Sequence, residues 1–290
     1  MPSPVLLSAS GLRLRHRTRS TPLSPRRVTT ALDGVALTLA EGERLGVVGA
    51  SGSGKSTLVR VLLALERPDA GQVRFGPEQR PVRAGSARRT RWFRSQVQFV
   101  PQDPAGSFNP RLRVGESIAE PLSCLGIGGD HRARVGQVLE AVGLQASMAD
   151  RHPHEFSGGQ RQRLAVARAL APGPRVLIAD EPVSALDVSS QARIIELLNR
   201  LSGEHGLALL LVSHELGVVR RLCERVMVMH QGRVVEQGET ARVLDRPEDP
   251  CTQRLVEAVP RLPALEAEEN DPRTRPAGAG ARTADRAPVR

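Results

Sequence analysis

The chain has almost no lysine: of 41 basic residues 40 are arginine, and the exception is Lys55. GC-rich codon usage accounts for arginine wherever either residue serves, so the bias by itself carries no function. Lys55 is different, because a compact ammonium on a thin stem fits where a loop wraps tightly round its ligand and the broad guanidinium does not. Cysteine is scarce as well. Cys124, Cys223 and Cys251 are too few and too scattered for a disulfide framework or a CxxC zinc site, which points to a reducing compartment. Long apolar runs are missing: "GLALLLV" at 206–212 falls far short of the ~20 residues of a membrane-spanning helix. No signal-peptide pattern opens the sequence. The protein is therefore expected to be soluble by itself and to need a partner for any role at a membrane.

What is present is a chain of 290 residues, 40% apolar, enough for one large domain or two small ones. The net charge of +10 suits contact with nucleic acid or an anionic membrane. Much of the excess lies in "RLRHRTRSTPLSPRR" and "DPRTRPAGAGARTADRAPVR" near the two ends, which also suits a solvated surface and a loose tail. After "PRLPALEAEEN" the apolar content collapses, and residues 263–290 are expected to be disordered. No internal repeat is visible.

Strand-like runs stand at 35–40 ("VALTLA"), 43–49 ("ERLGVVG"), 72–75 ("QVRF"), 96–100 ("QVQFV"), 175–180 ("RVLIAD") and 207–214 ("LALLLVSH"). "KSTLVRVLLALERP" reads as a helix stopped by Pro68, and "SSQARIIELLNRL" as another. Residues 77–91 are polar and arginine-rich, as in a loop or short insert, and 103–170 turns mainly helical. Strands alternating with helices imply an α/β fold with a parallel sheet.

Gly49, Gly54, Lys55 and Ser56 fit G-x-x-x-x-G-K-[ST], placed after a strand and opening a helix as that motif requires. The backbone N–H groups of such a loop, Gly49, Ala50, Ser51, Gly52, Ser53, Gly54, Lys55, Ser56 and Thr57 here, cradle nucleotide phosphates. Lys55 would neutralise β/γ oxygens and Ser56 would hold Mg²⁺. "RVLIADEP" puts Asp180 and Glu181 at a strand's carboxyl end, the ligand side of open α/β sheets. Asp180 suits the metal shell, and Glu181 suits a base that polarises an attacking water. In "FSGGQRQR", Ser157, Gly158 and Gly159 leave helix-start amides uncovered, which makes an anion site.

With this last element the chain resembles the ATP-binding cassette (ABC) family, whose signature normally reads LSGGQ. The resemblance covers about residues 5–260. It implies a P-loop NTPase (RecA-like) core with a parallel sheet, an N-terminal antiparallel β subdomain and a helical signature subdomain at about 103–170, all within an ATPase domain spanning 1–262. It further implies that Gln102 in "VPQDP" senses Mg²⁺, that Asp187 in "SALD" belongs to the segment after the Asp180–Glu181 strand, and that His214 in "LVSHE" contacts the γ-phosphate. Ser157, Gly158, Gly159 and Gln160 would serve the phosphate loop of a second subunit, so that two ATP molecules with Mg²⁺ lie between two ATPases. The family usually stacks adenine on an aromatic residue soon after the first strand. This chain has no tyrosine, and His16, with Arg15 beside it, falls where that ring is expected.

"QDPAGSFNPR", "DEPVSALDVS" and "GRVVEQGE" look like the ATPases of dipeptide, oligopeptide and nickel importers, although "DPCT" stands where that group commonly has HPYT. The implied partners are a second ATPase, two transmembrane permease subunits and a solute-binding protein, with the chain peripheral on the cytoplasmic face of the membrane. The rival class is a nucleic-acid ATPase built on the same cassette. Such proteins usually add coiled coils, zinc fingers or a second cassette, and none is visible. A non-hydrolysing scaffold is disfavoured by intact Lys55, Asp180, Glu181 and His214.

Overall fold

The computed structural model describes residues 4–18, 27–104 and 106–258. Two fourteen-residue strands come first, β1 (Val5–Thr18) and β2 (Arg27–Ala40), paired antiparallel with Leu7 opposite Leu39 and His16 opposite Thr29. Along β2, Val35, Leu37 and Leu39 are buried while Ala36 and Thr38 are exposed, the two-residue period of a half-buried strand. Next in order are β3 (Arg44–Val48), α1 (Lys55–Leu62), β4 (Ala70–Phe75), β5 (Arg80–Val82), α2 (Ala87–Arg94) and β6 (Val97–Val100). β4 pairs with β1 and β5 with β4, giving an antiparallel sheet of order β2-β1-β4-β5. Residues 77–91, expected as a loop or insert, thus carry β5 and the first part of α2. That helix buries only Thr90 and Phe93, a stripe too narrow to stand out among its arginines.

The chain continues through α3 (Val114–Cys124), α4 (His131–Ala141), α5 (Gly158–Leu170), β7 (Val176–Asp180), α6 (Val188–His205) and β8 (Ala208–Val212). Beyond them lie α7 (Leu216–Leu222), β9 (Arg225–His230), β10 (Arg233–Glu239), α8 (Thr240–Asp245) and α9 (Pro250–Glu257), none of which the apolar pattern above anticipates. The second sheet has the order β10-β9-β3-β8-β7-β6, parallel except for β10 at its edge. This is the expected α/β architecture.

Successive residues of the parallel strands feed two cores. Leu45, Val47, Ile178 and Leu210 pack with α1 and the antiparallel sheet, whereas Val48, Leu177, Leu209 and Leu211 pack with residues of α3, α5 and α6. A strand buried on both faces needs apolar residues throughout, which is why these strands read as unbroken apolar runs. Because the parallel strands share one direction, their carboxyl ends meet along one edge of the sheet. Four segments leave from that edge: residues 49–57 after β3, Gln102 after β6, Asp180 and Glu181 at the end of β7, and His214 after β8. The tail 263–290, expected to be disordered, lies outside the described residues, as does 19–26 of the basic N-terminal run. Among the described residues no helix is long and apolar enough to cross a membrane.

Candidate nucleotide-binding site

Between β3 and α1 the backbone takes conformations that only glycine adopts readily. Gly49 has φ 152° and Gly54 φ 107°; a Cβ on Gly49 would lie 2.2 Å from the Met229 carbonyl oxygen, and one on Gly54 2.5 Å from that of Ala31. The loop is thereby pressed against β9 and β2. The Gly232 amide donates to the Ser53 carbonyl at 2.9 Å and pins it there. Lys55 folds back over the loop, its Nζ donating to the carbonyls of Gly49 at 2.6 Å and Ala50 at 3.0 Å. Burial pushes its pKa down, and the carboxylates of Glu181 and Asp180 pull partly the other way.

A cleft of about 640 Å³ is lined by Gly49, Ala50, Ser51, Gly52, Gly54, Lys55, Ser56 and Thr57 together with Gln102, Asp180, Glu181, His214 and His16. Ser53, expected among the phosphate-binding residues, does not line the cleft. Its side chain is buried under the loop, 4% exposed, and its amide already donates to the Ala50 carbonyl at 3.2 Å. The space it fills is the one Gly49 leaves open, since a Cβ there would come within 2.8 Å of Ser53 Oγ.

Asp180 is half-buried. Its pKa is raised, first by burial and then by the neighbouring Glu181, with Lys55 opposing. Glu181 has a left-handed backbone, φ 49°, sparsely populated by residues other than glycine. Its amide donates to the Val212 carbonyl on β8 at 2.9 Å, which ties the end of β7 to the segment bearing His214. One carboxylate oxygen, Oε1, accepts from the His214 amide at 3.1 Å and lies 2.7 Å from His214 Nδ1. The other, Oε2, is buried without a hydrogen-bond partner among the described residues. The carboxylate is thereby oriented at the wall of the cleft, where such a group can act as a proton acceptor.

His16, and not Arg15, lines the cleft. The strand period decides between them, since Leu14 and His16 share one face of β1 and Arg15 points to the other. His16 Nε2 lies 3.5 Å from Thr57 Oγ1 and Nδ1 lies 3.7 Å from Glu66 Oε1. Thr29, Thr30, Ala31 and Leu255 also line the cleft and were not among the sequence candidates. Thr29 faces His16 across the β1–β2 register, so recognition of that hairpin could have found it. Leu255 has no such signal: α9 is brought in by packing, with Glu236 of β10 accepting the amides of Glu248 at 3.0 Å and Asp249 at 3.1 Å.

The signature residues stand outside this cleft. Ser157 caps α5, with its Oγ accepting from the Gln160 amide at 3.3 Å and its own amide donating to Gln160 Oε1 at 2.9 Å; this is a reciprocal capping box. Gly159 packs against the first turn of α6, where a Cβ would meet Ser190 Oγ at 2.8 Å, whereas Gly158 has room. Asp187 caps α6, accepting from Ser190 N at 3.0 Å and Ser189 Oγ at 2.6 Å, and these bonds hold its carboxyl well below the usual range. Ser157, Gly159 and Gln160 line a separate cavity with Arg163 and Arg193.

The cleft suits a hard divalent cation shared with phosphates. Ser56 and Asp180 bring only oxygen donors to its wall, and among the described residues no group of three or more His, Cys, Asp or Glu is placed to hold a metal alone. Magnesium is commonly bound through one or two protein ligands, with waters and substrate phosphates completing the shell.

The ABC transporter family model matches residues 32–184. A Brucella abortus (strain 2308) protein carrying the name "Putative peptide import ATP-binding protein" is 45% identical over 251 residues, 86% of this chain and 73% of its own length. The dimeric structure of MJ0796, a bacterial ABC transporter cassette, superimposes with TM-score 0.71 at 29% identity, over 81% of this chain and 99% of that one. The post-hydrolysis MJ0796 dimer bound to ADP and Pi gives TM-score 0.70 at 28% identity, over the same shares of the two chains. The chain belongs to the ABC transporter family and is an ATPase of it.

Proposed function

We propose that this chain energises import of peptides through a membrane permease, as one of two ATPase subunits that close on ATP and open after its hydrolysis. The observation that carries the reading is the convergence of Lys55, Gln102, Asp180, Glu181 and His214 on one cleft over a glycine-pinned loop. The ATPase unit would span residues 1–262, with 103–170 as its helical part. Peptide as cargo is supported by the name of the Brucella relative and by the stretches "QDPAGSFNPR" and "DEPVSALDVS". A solute-binding protein and two permease subunits would complete the assembly on the inner membrane, with this chain on its cytoplasmic face.

In this mechanism the amides of the loop hold the phosphates, and Lys55 leaves the Gly49 and Ala50 carbonyls to meet the β/γ oxygens. Ser56 and Asp180, with Gln102 nearby, would hold Mg²⁺, which when bound supplies positive charge against the phosphate oxygens. The Glu181 carboxylate accepts a proton as water adds to the γ-phosphorus and the bond to the β/γ bridging oxygen breaks. His214 fixes Glu181 through Nδ1, which leaves Nε2 for the γ-phosphate. His16 lies over the base in place of an aromatic ring.

The start of α5 presents Ser157, Gly158 and Gly159 to the γ-phosphate held by a second subunit, with Gln160 and Asp187 shaping that surface. Loss of the γ-phosphate removes the contact across the interface, and the two subunits part. The test is Glu181→Gln. This variant is expected to bind ATP, to lose turnover by a factor of about 10²–10⁴, and to elute at twice the monomer mass with ATP but not with ADP. Normal ATPase in Glu181→Gln would refute the role of Glu181, and a monomer with ATP would refute the paired mechanism.

A further inference from the structure

A second concave region, of about 930 Å³, lies between the antiparallel sheet and α2, away from the phosphate loop. Five arginines converge on it: Arg67 from the turn after α1, Arg74 from β4, Arg80 and Arg83 from β5 and the segment after it, and Arg89 from α2. Among the described residues none of the five forms an ion pair. The two acids in the wall are otherwise engaged, Glu66 with Arg60 at 3.2 Å and His16 at 3.7 Å, and Asp69 with the Arg15 amide at 2.9 Å. Asp69 keeps its charge, so five arginines face two carboxylates, one of them paired with Arg60, and the groove's net positive charge favours an anion.

Two of the five are already oriented. The Arg80 guanidinium lies 4.0 Å from the Trp92 ring centroid. Arg74 donates to the Gln79 carbonyl and to Gln72 Oε1, both at 3.3 Å. These contacts fix direction without neutralising charge; among the described residues the Arg80 fork makes no hydrogen bond and stays free for phosphate oxygens, while both terminal nitrogens of Arg74 already donate once. A single-stranded nucleic acid is disfavoured, because such grooves pair their positive charge with bare aromatic faces for the bases. The only indole here is covered by Arg80, and its ring also packs against Phe93 at 5.8 Å.

We infer that the groove between β4, β5 and α2 is a binding site for a phosphate-bearing anion, either the headgroup of an anionic lipid or a small soluble polyphosphate. Its concavity and its size suit a compact, multiply charged group.

The test uses the full chain with saturating ADP, so that the phosphate loop is filled, at about 0.15 M salt, where long-range attraction is screened. Three proteins are compared: wild type, Arg80→Gln/Arg83→Gln/Arg89→Gln, and a control of equal charge, Arg132→Gln/Arg221→Gln/Arg246→Gln. Binding is measured to phosphatidylglycerol/phosphatidylcholine vesicles, to inositol hexakisphosphate and to a single-stranded oligonucleotide. Removing the groove arginines is expected to weaken binding to vesicles or to inositol hexakisphosphate at least about tenfold, and the control less than about twofold. The preferred probe identifies the source as lipid or soluble ligand. ATPase turnover should remain at the wild-type level. If Arg80→Gln disturbs the packing of Trp92, Arg83→Gln/Arg89→Gln keeps that contact and should still weaken binding at least about fivefold. The inference is overturned if wild type binds neither phosphate probe, if both triple variants lose binding equally, or if the oligonucleotide binds tighter than both probes and depends on the groove arginines.

Discussion

The nucleotide cleft and the start of the signature helix both bear motif residues, but their polar groups are in opposite states. At the cleft, Glu181 Oε2, and under its loop Ser53 Oγ, are buried without partners among the described residues, burial disfavours the charge on Lys55, and burial with a like neighbour disfavours the charge on Asp180. At the start of α5 and α6, Ser157 with Gln160 and Asp187 with Ser189 and Ser190 bond each other. One region holds polar groups left unsatisfied or disfavoured by burial, and the other is locally satisfied. On the proposed function, motif residues in the cleft would serve activity at some cost in stability, whereas those at the helix start would serve both.

The largest effect that would break this contrast belongs to Lys55. Lys55→Arg keeps the charge but places a planar fork where a single ammonium reaches two loop carbonyls at 2.6 and 3.0 Å. Turnover is expected to fall by at least about 10²-fold, with nucleotide affinity falling too and the nucleotide-free melting temperature changing little. A variant that retains a tenth of wild-type turnover would show that the loop does not need lysine, and that the solitary Lys55 is an accident of composition.

A smaller effect sharpens the difference between regions. Ser157→Ala removes a helix cap worth about 1 kcal/mol, so the nucleotide-free protein should melt about 2–4 °C lower in addition to losing ATPase. Ser56→Ala should also lose ATPase, but with an unchanged melting temperature, because the Ser56 hydroxyl caps nothing. Thermal scans without nucleotide separate the two. Equal melting temperatures for both variants would mean that the capping box contributes nothing measurable.

Legibility follows the same division. β3, β7 and β8 were readable because strands buried on both faces are apolar at every position, and the phosphate loop because Gly49 and Gly54 have no substitutes at their φ values. The run "VMVM" in β9 carries the same signal and could have been read. β5 and α2 were hidden by arginines around two buried side chains, and β10 by its exposed edge position. The Asp180–Glu181 pair could be placed at a strand end, but not the hydrogen bond that turns Glu181 toward His214, which joins residues 33 apart. Leu255 reaches the cleft only through the packing of α9, and no local pattern encodes that.

The smallest effect tests whether strain in the cleft is electrostatic. Burial and then Glu181 raise the Asp180 pKa above its ordinary value, against the weaker pull of Lys55. The folded chain therefore binds this proton more tightly than the unfolded chain does. A stabilising contribution of that sign is complete below the unfolded value and is lost as the pH rises through the folded one. At pH 7 the ionised carboxylate weakens the nucleotide-free fold, and Asp180→Asn should raise its melting temperature by about 1–3 °C while abolishing turnover. The gain should shrink as the pH is lowered and vanish below about 4, where both states hold the proton. A melting temperature that falls at pH 7, or a gain that persists unchanged into acid, would mean that attraction to Lys55 outweighs burial, and that the cleft is braced by its charges and not strained by them.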